Sequence, residues 1–201
     1  MAPVLKTVKE NALKFYPDLI EKLKEKDKWV DKLRIKVIAF RDFDADRDKA
    51  LEVLDFVDLP DKQEEFRAFV SALKPEGGGP IPENGLEALA MAINSDWNKD
   101  GDKRRHIIVV YSDAPTHSLE EASAYKPEGM PATFNDLTDW WDGQGKMETA
   151  AKRLILFAPD AASWTDIATY WNNVIHYPSI AGEGLSDIEY ETILKTIVSS
   201  I

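Results

Sequence analysis

The run Ile107-Ile108-Val109-Val110-Tyr111 constrains this chain more than any other feature. A short, continuous, β-branched apolar run reads as a strand covered on both faces, and such strands belong to parallel sheets packed between helices. Leu154-Ile155-Leu156-Phe157 and Val174-Ile175 repeat the signature more briefly. Arg34-Ile35-Lys36-Val37-Ile38-Ala39-Phe40 alternates at first and becomes apolar on both faces at its end, and a weaker strand lies around Leu51 to Phe56.

Helical periodicity fills the intervals. Leu5, Val8, Ala12, Phe15, Leu19 and Leu23 recur at three- and four-residue steps, which predicts an amphipathic helix over 4–27 with a kink at Pro17. Asp61 is placed to cap a helix carrying Phe66, Phe69, Val70 and Leu73, and Leu86, Leu89, Ala90 and Ile93 mark another. Further helices are expected near 134–152, 162–171 and 186–199. The alternation predicts a three-layer α/β domain, a mostly parallel central sheet flanked by helices, with its ligand site at the carboxyl ends of the strands. No repeat, linker or boundary interrupts it, so residues 1–201 read as a single domain.

The chain carries 25 Lys and Arg against 36 Asp and Glu, a net charge of −11, which argues against duplex nucleic acid as a partner. No apolar stretch is long enough to span a membrane, and the first residues hold no apolar core of signal-peptide length, so a cytoplasmic setting is the expectation. Cysteine is absent, which removes thiolate nucleophiles, disulfides and cysteine-ligated metals. The wide spacing of His106, His117 and His176 speaks against a three-histidine zinc site.

Four constellations could carry chemistry. Gly77-Gly78-Gly79-Pro80-Ile81-Pro82-Glu83 is a glycine-rich entry to a helix, but its prolines lack amide donors and Glu83 would repel a phosphate, so it reads as a tight turn. Ser112-Asp113 follows the most buried-looking strand, where α/β folds place metal ligands and nucleophiles, although an aspartate there also serves as a plain turn former. Asp96-Trp97-Asn98-Lys99-Asp100-Gly101 opens like a calcium loop, yet the position for the closing glutamate holds Ile107, and Lys103-Arg104-Arg105 crowd it with positive charge. Asp42, Asp44, Asp46 and Asp48 alternate after a strand beside Arg41, Arg47 and Lys49, and read as a solvated loop of which Asp42 alone could line the site.

Taken together, Ile35 to Asp42, Gly77-Gly78-Gly79 with Pro82-Glu83 and Leu86-Glu87-Ala88-Leu89, and Arg105 to Val110 followed by Ser112-Asp113-Ala114-Pro115-Thr116-His117 closely resemble a bacterial von Willebrand factor type A domain, in order and spacing over nearly the whole chain. The resemblance implies a Rossmann-like fold and a protein-interaction module of adhesion type rather than an enzyme. It also implies a divalent ion, Mg²⁺ or Ca²⁺, whose coordination a partner protein completes with an acidic side chain. By resemblance Asp113 is the late metal-site aspartate, Glu83 stands where the family has a threonine and becomes a substitute ligand, and Asp42, Ser112, His117 and Gly79 form the second shell or rim. The family's opening strand, with its D-x-S/T-x-S metal motif, has no counterpart before Met1-Ala2-Pro3-Val4-Leu5. The expectations are therefore a chain shortened at its amino terminus relative to the family, which leaves a targeting signal ahead of it open, and an incomplete site whose metal binding is weak or absent. The absent strand would lie between the strands at 34–40 and 107–111, so self-association or a donated strand at open sheet edges is expected. The rival readings are a metal-dependent hydrolase or phosphotransferase using Asp113, with Glu83, Asp42 or His117 assisting, and a structural remnant whose metal site has decayed.

Overall fold

A computed structural model describes residues 2–75, 82–121, 123–179 and 190–201, the side chains of 2–4 and 7 excepted. The chain is α/β, in the order α1 (Ala2–Lys24), β1 (Leu33–Phe40), α2 (Phe43–Asp46), β2 (Leu51–Leu59), α3 (Gln63–Ala72), α4 (Gly85–Ile93), β3 (His106–Tyr111), α5 (Phe134–Asp139), β4 (Lys152–Pro159), α6 (Ala162–Tyr170), β5 (Val174–Ser179) and α7 (Tyr190–Ser200). Strands β1 and β2 pair in one small sheet. The chain divides into two compact units, one of Met1–Ile38, Val53–Glu76 and Ser186–Ile201, the other of Ala39–Glu52 and Gly77–Leu185.

In the first unit α1 packs on α3 and α7. Its apolar stripe sets Ala12, Leu13 and Tyr16 against Val57, Leu59, Phe66 and Val70, and β1 adds Leu33, Ile35 and Val37 from one face of the strand. Helix α1 continues through Pro17. Lys9 reaches across to the end of α3 and donates to the carbonyls of Ser71 (2.7 Å) and Leu73 (2.8 Å), acceptors left at that end. Asp61 does not cap α3: the N-cap is Lys62, with no side-chain bond. Backbone carbonyls do that work instead, Pro60 accepting from the Gln63 amide at 3.0 Å and Asp58 from the Lys62 amide at 2.8 Å. The helix expected over 186–199 is seen as α7, and 186–189 lie outside the described residues.

The second unit is built on a parallel sheet in the order β3–β4–β5, with Val109 opposite Ile155 and Ile155 opposite Ile175. One face of this sheet, Ile108, Val110, Leu154, Leu156 and Ala158, packs against Leu86, Leu89 and Ile93 of α4 and Trp164 and Ile167 of α6. The other face carries a ladder of stacked rings, Tyr111 on Phe157 at 5.3 Å and Phe157 on Tyr177 at 5.0 Å. The β-branched run is thus a strand of a parallel sheet, as its composition predicts.

The helix expected over 134–152 is shorter. After α5 one wide turn, Trp140–Gln144, is broken at Gly143, whose φ of 132° is open to glycine, and β4 begins at Lys152. Gly145 then passes so close to the core that a Cβ there would meet Ile93 and the Trp140 carbonyl at 2.7 Å. The aromatic residues of this segment pack inward. Trp141 is 1% exposed and stacks on Trp171 at 5.1 Å, Phe134 also lies on Trp171, and Trp140 is half-buried against the same core. Lys152 is fully buried, its Nζ donating to the Trp141 carbonyl and lying 4.4 Å from the centre of the Trp141 ring. Burial lowers its pKa, and Asp142 partly opposes that.

Helix α5 starts with a capping box in which Thr133 Oγ1 accepts from the Asp136 amide at 3.1 Å and Asp136 accepts from the Thr133 amide at 2.9 Å. Thr133→Ala is expected to cost about 1 kcal/mol of unfolding free energy, read as a lower denaturant midpoint at unchanged slope. An unchanged midpoint would show that the box contributes nothing.

Candidate functional site

Three segments of the second unit converge at the carboxyl ends of strands. The first follows β1. The Arg41 amide donates to the Ala50 carbonyl at 2.8 Å, while its guanidinium holds the Lys49 carbonyl (2.8 Å) and Glu52 (2.7 Å). These bonds close the loop that carries Asp42. Asp42 is 6% exposed because it caps α2, its Oδ1 accepting from the amides of Asp44 (2.7 Å) and Ala45 (3.1 Å). Of the four alternating aspartates Asp42 alone is buried at the site, while Asp44 and Asp48 are exposed.

The second segment enters α4. Asn84 is buried and ties this segment to the first, its amide donating to the Arg41 carbonyl at 3.2 Å and its Oδ1 accepting from the Phe43 amide at 2.8 Å. Glu83 pairs with the third segment, the loop after β3. Its amide donates to the Pro115 carbonyl at 3.1 Å, its carbonyl accepts from the His117 amide at 2.9 Å, and Thr116 Oγ1 accepts from the Leu86 amide at 3.1 Å. That short parallel bridge is what brings Glu83 beside the residues that follow β3.

In the third segment Ser112 continues the sheet, its amide donating to the Phe157 carbonyl at 2.9 Å. Its hydroxyl donates to the Ala114 carbonyl at 2.9 Å and accepts from the Ala114 amide at 3.2 Å, so it is spent on the turn that carries Asp113. Asp113 is 6% exposed. Trp164 supports this turn from below, donating from Nε1 to the Ala114 carbonyl at 3.1 Å.

The electrostatics centre on Glu83. Its Oε2 is buried and has no hydrogen-bond partner among the described residues. Burial, then repulsion from Asp42, Asp46 and Asp113, pushes its carboxyl up to about 7, against a smaller opposing pull from His117. His117 is engaged through both ring nitrogens, Nδ1 to Glu121 at 2.8 Å and Nε2 to Asp42 at 3.4 Å. Its burial disfavours the charged ring, but these carboxylates outweigh it and its pKa is raised. Around the rim Ser123 donates to Asp44 at 2.7 Å, and Tyr125, 40% exposed, lies 5.9 Å from the Arg47 guanidinium.

Of the residues expected from sequence, Asp113, Glu83, Asp42, Ser112 and His117 are brought into one region, and Gly79 lies outside the described residues with the rest of 76–81. Among the described residues no three His, Asp or Glu side chains are gathered so as to hold a metal ion by themselves. The segment that opens like a calcium loop is closed by an internal cation. Arg104 Nη1 donates to the carbonyls of Lys99 and Gly101, and the rest of its guanidinium grips both carboxylate oxygens of Glu148, at 2.6 and 3.1 Å. One of the three basic residues at 103–105, Arg104, thus occupies the loop.

Asn84 and Trp164 were not singled out in the sequence. An asparagine ahead of a helix signals a cap, yet Asn84 makes no cap bond and reaches across to Phe43 instead. Nothing in the local sequence marks Trp164, because its role depends on a loop fifty residues away. No known family profile matches the chain, and no curated protein matches it.

Proposed function

We propose that this chain is a protein-interaction module of the von Willebrand factor type A class, engaging its partner at the acidic carboxyl end of the sheet. The observation that supports the reading best is the buried, unpartnered Oε2 of Glu83 amid Asp42, Asp46 and Asp113. A carboxylate in that state is relieved by a proton or by a cation. Asp113 and Glu83 are the residues that would hold a divalent ion, with Asp42 alongside. Hard oxygen donors of this kind select Mg²⁺ or Ca²⁺. The ion would supply a positive anchor for a carboxylate of the partner, and water would fill its remaining positions. With only two carboxylates offered, affinity for Mg²⁺ alone is expected to be weaker than about 1 mM. The reading takes the module as a binder rather than a catalyst, which agrees with His117 being held by two carboxylates instead of standing free as a base.

A Mg²⁺ titration followed by amide chemical shifts tests it. The expected result is a saturable, weak response confined to 83–85 and 112–117, lost in Asp113→Asn and in Glu83→Gln. Micromolar affinity that survives Asp113→Ala, or no response at these amides, would overturn the assignment.

A further inference from the structure

We propose that the His117 ring is a built-in competitor for the cation at the acidic end of the sheet, covering Asp42 Oδ2 until the ring swings out with Glu121. The inference rests on the reading of this region as a cation site and adds a regulator to it. Every group involved belongs to the second unit.

The carboxylate oxygens of the site are unequally served. Asp42 Oδ1 is committed at the start of α2, where it accepts from the amides of Asp44 (2.7 Å) and Ala45 (3.1 Å). Asp42 Oδ2 meets His117 Nε2 at 3.4 Å, longer than an ordinary bond from a nitrogen donor. The Asp42 side chain is 9% exposed, so water offers it little relief. Glu83 Oε2 has no partner among the described residues, and Asp42 is the charge that acts most strongly on Glu83. Two interacting carboxylates therefore each hold an oxygen short of donors, which is costly in a buried place. A cation shared by the two relieves both, and the ring stands on one of them.

His117 is mounted so that its ring can leave. The backbone is fixed, because the His117 amide donates to the Glu83 carbonyl at 2.9 Å beside the bridge of Glu83 with Thr116. The movable part is the ring, which turns about its side-chain bonds. Its shorter contact, Nδ1 to Glu121 at 2.8 Å, is made to a side chain that is 60% exposed. The longer and weaker contact is the one that faces the site. A ring that lets go of Asp42 thus keeps its stronger tie and gains water. With the ring in place, Asp113 and Glu83 are the carboxylates on offer; with the ring out, Asp42 Oδ2 is a third. More carboxylates tighten a divalent site, and apparent affinity falls with the fraction of molecules in which the site is covered.

The test is a Mg²⁺ titration of the full chain, read through the amide shifts of 83–85 and 112–117. His117→Ala is expected to bind Mg²⁺ roughly tenfold more tightly than the parent, as for a site uncovered in about one molecule in ten. The gain is expected to vanish in an Asp42→Asn background, which keeps an acceptor for the α2 amides and replaces the uncovered oxygen by an amide nitrogen. Loss of positive charge alone would raise affinity in either background, so a gain that persists with Asp42→Asn overturns the proposal. The unsubstituted chain supplies a second readout, which covers a variant that does not fold. The nuclear Overhauser effect between the His117 ring protons and the Asp42 β-protons is expected to disappear as Mg²⁺ saturates, and its survival at saturation overturns the proposal. A parent response that His117→Ala leaves unchanged overturns this inference alone. No response in the parent and in His117→Ala alike overturns the cation reading together with it.

Discussion

Trp164→Ala is expected to destabilise the second unit by about 3–5 kcal/mol, the largest single effect anticipated in this chain. The indole is fully buried and faces α4 at its first residue. A Cβ on Gly85 would lie 2.6 and 2.8 Å from its ring carbons, so glycine there is what allows helix and indole to touch. Removing the ring empties this contact, leaves a cavity next to Ile167 and takes away one of the two donors, Nε1 and the Ser112 hydroxyl, that the Ala114 carbonyl accepts from. Trp164→Phe keeps most of the packing and loses that hydrogen bond, so a smaller cost of about 1–2 kcal/mol is expected. Urea unfolding read through amide exchange of Leu154 to Ala158 reports on this unit directly. A loss below about 1 kcal/mol for the alanine variant would mean that the indole does not support the turn behind Asp113.

The contrast between β3 and α5 shows which parts of the fold were legible. The apolar run at 107–111 has one physical solution, a strand shielded on both faces, and neither turn chemistry nor charge competes with it. The stretch 134–152 mixes helical spacing with Gly143 and Gly145, and whether a glycine ends a helix depends on what stands nearby. Here Ile93 and the Trp140 carbonyl leave room for no side chain at Gly145, a fact held by a distant helix. Asp61 misleads for a related reason: it is a good cap in isolation, but the turn from Asp58 to Pro60 already supplies the acceptors.

The candidate site divides along the same line. Asp113 and Asp42 follow strands, and strand ends are where such sites form, so position alone drew attention to them. The state of Glu83 was beyond the sequence, since it arises from the bridge with Thr116 and from three aspartates on other segments. The calcium-like loop shows the reverse case, in which one of the basic residues at 103–105 that the sequence sets against a calcium ion, Arg104, donates to the loop's own carbonyls.

Glu83 also gives the site a measurable pH response. In the folded protein its carboxyl titrates near 7, whereas an unfolded glutamate titrates near 4.5. A carboxyl with a raised folded pKa prefers its proton in the native state. Its favourable contribution is therefore complete below about pH 4.5 and is lost as pH rises through about 7. His117, whose pKa is also raised, acts in the same direction, because its pairing with Glu121 and Asp42 fades as the ring deprotonates. The groups facing Glu83 that sustain the effect are Asp42 after β1, Asp46 on α2 and Asp113 after β3. At about 1.4 kcal/mol per pH unit the full displacement from 4.5 to about 7 sets an upper bound near 3.5 kcal/mol, and water at this part-buried carboxyl reduces it to about 1–2 kcal/mol. Glu83→Gln retains the shape and cannot ionise. Measured in chelator, so that no cation relieves the charge, the variant is expected to match the parent near pH 4 and to exceed it by about 1–2 kcal/mol near pH 8. The remaining slope above pH 6 in the variant would then belong to His117. Parallel stability curves for the two proteins across this range would show that the Glu83 carboxylate is already relieved in the native state, which would remove the reason for a cation to bind beside it.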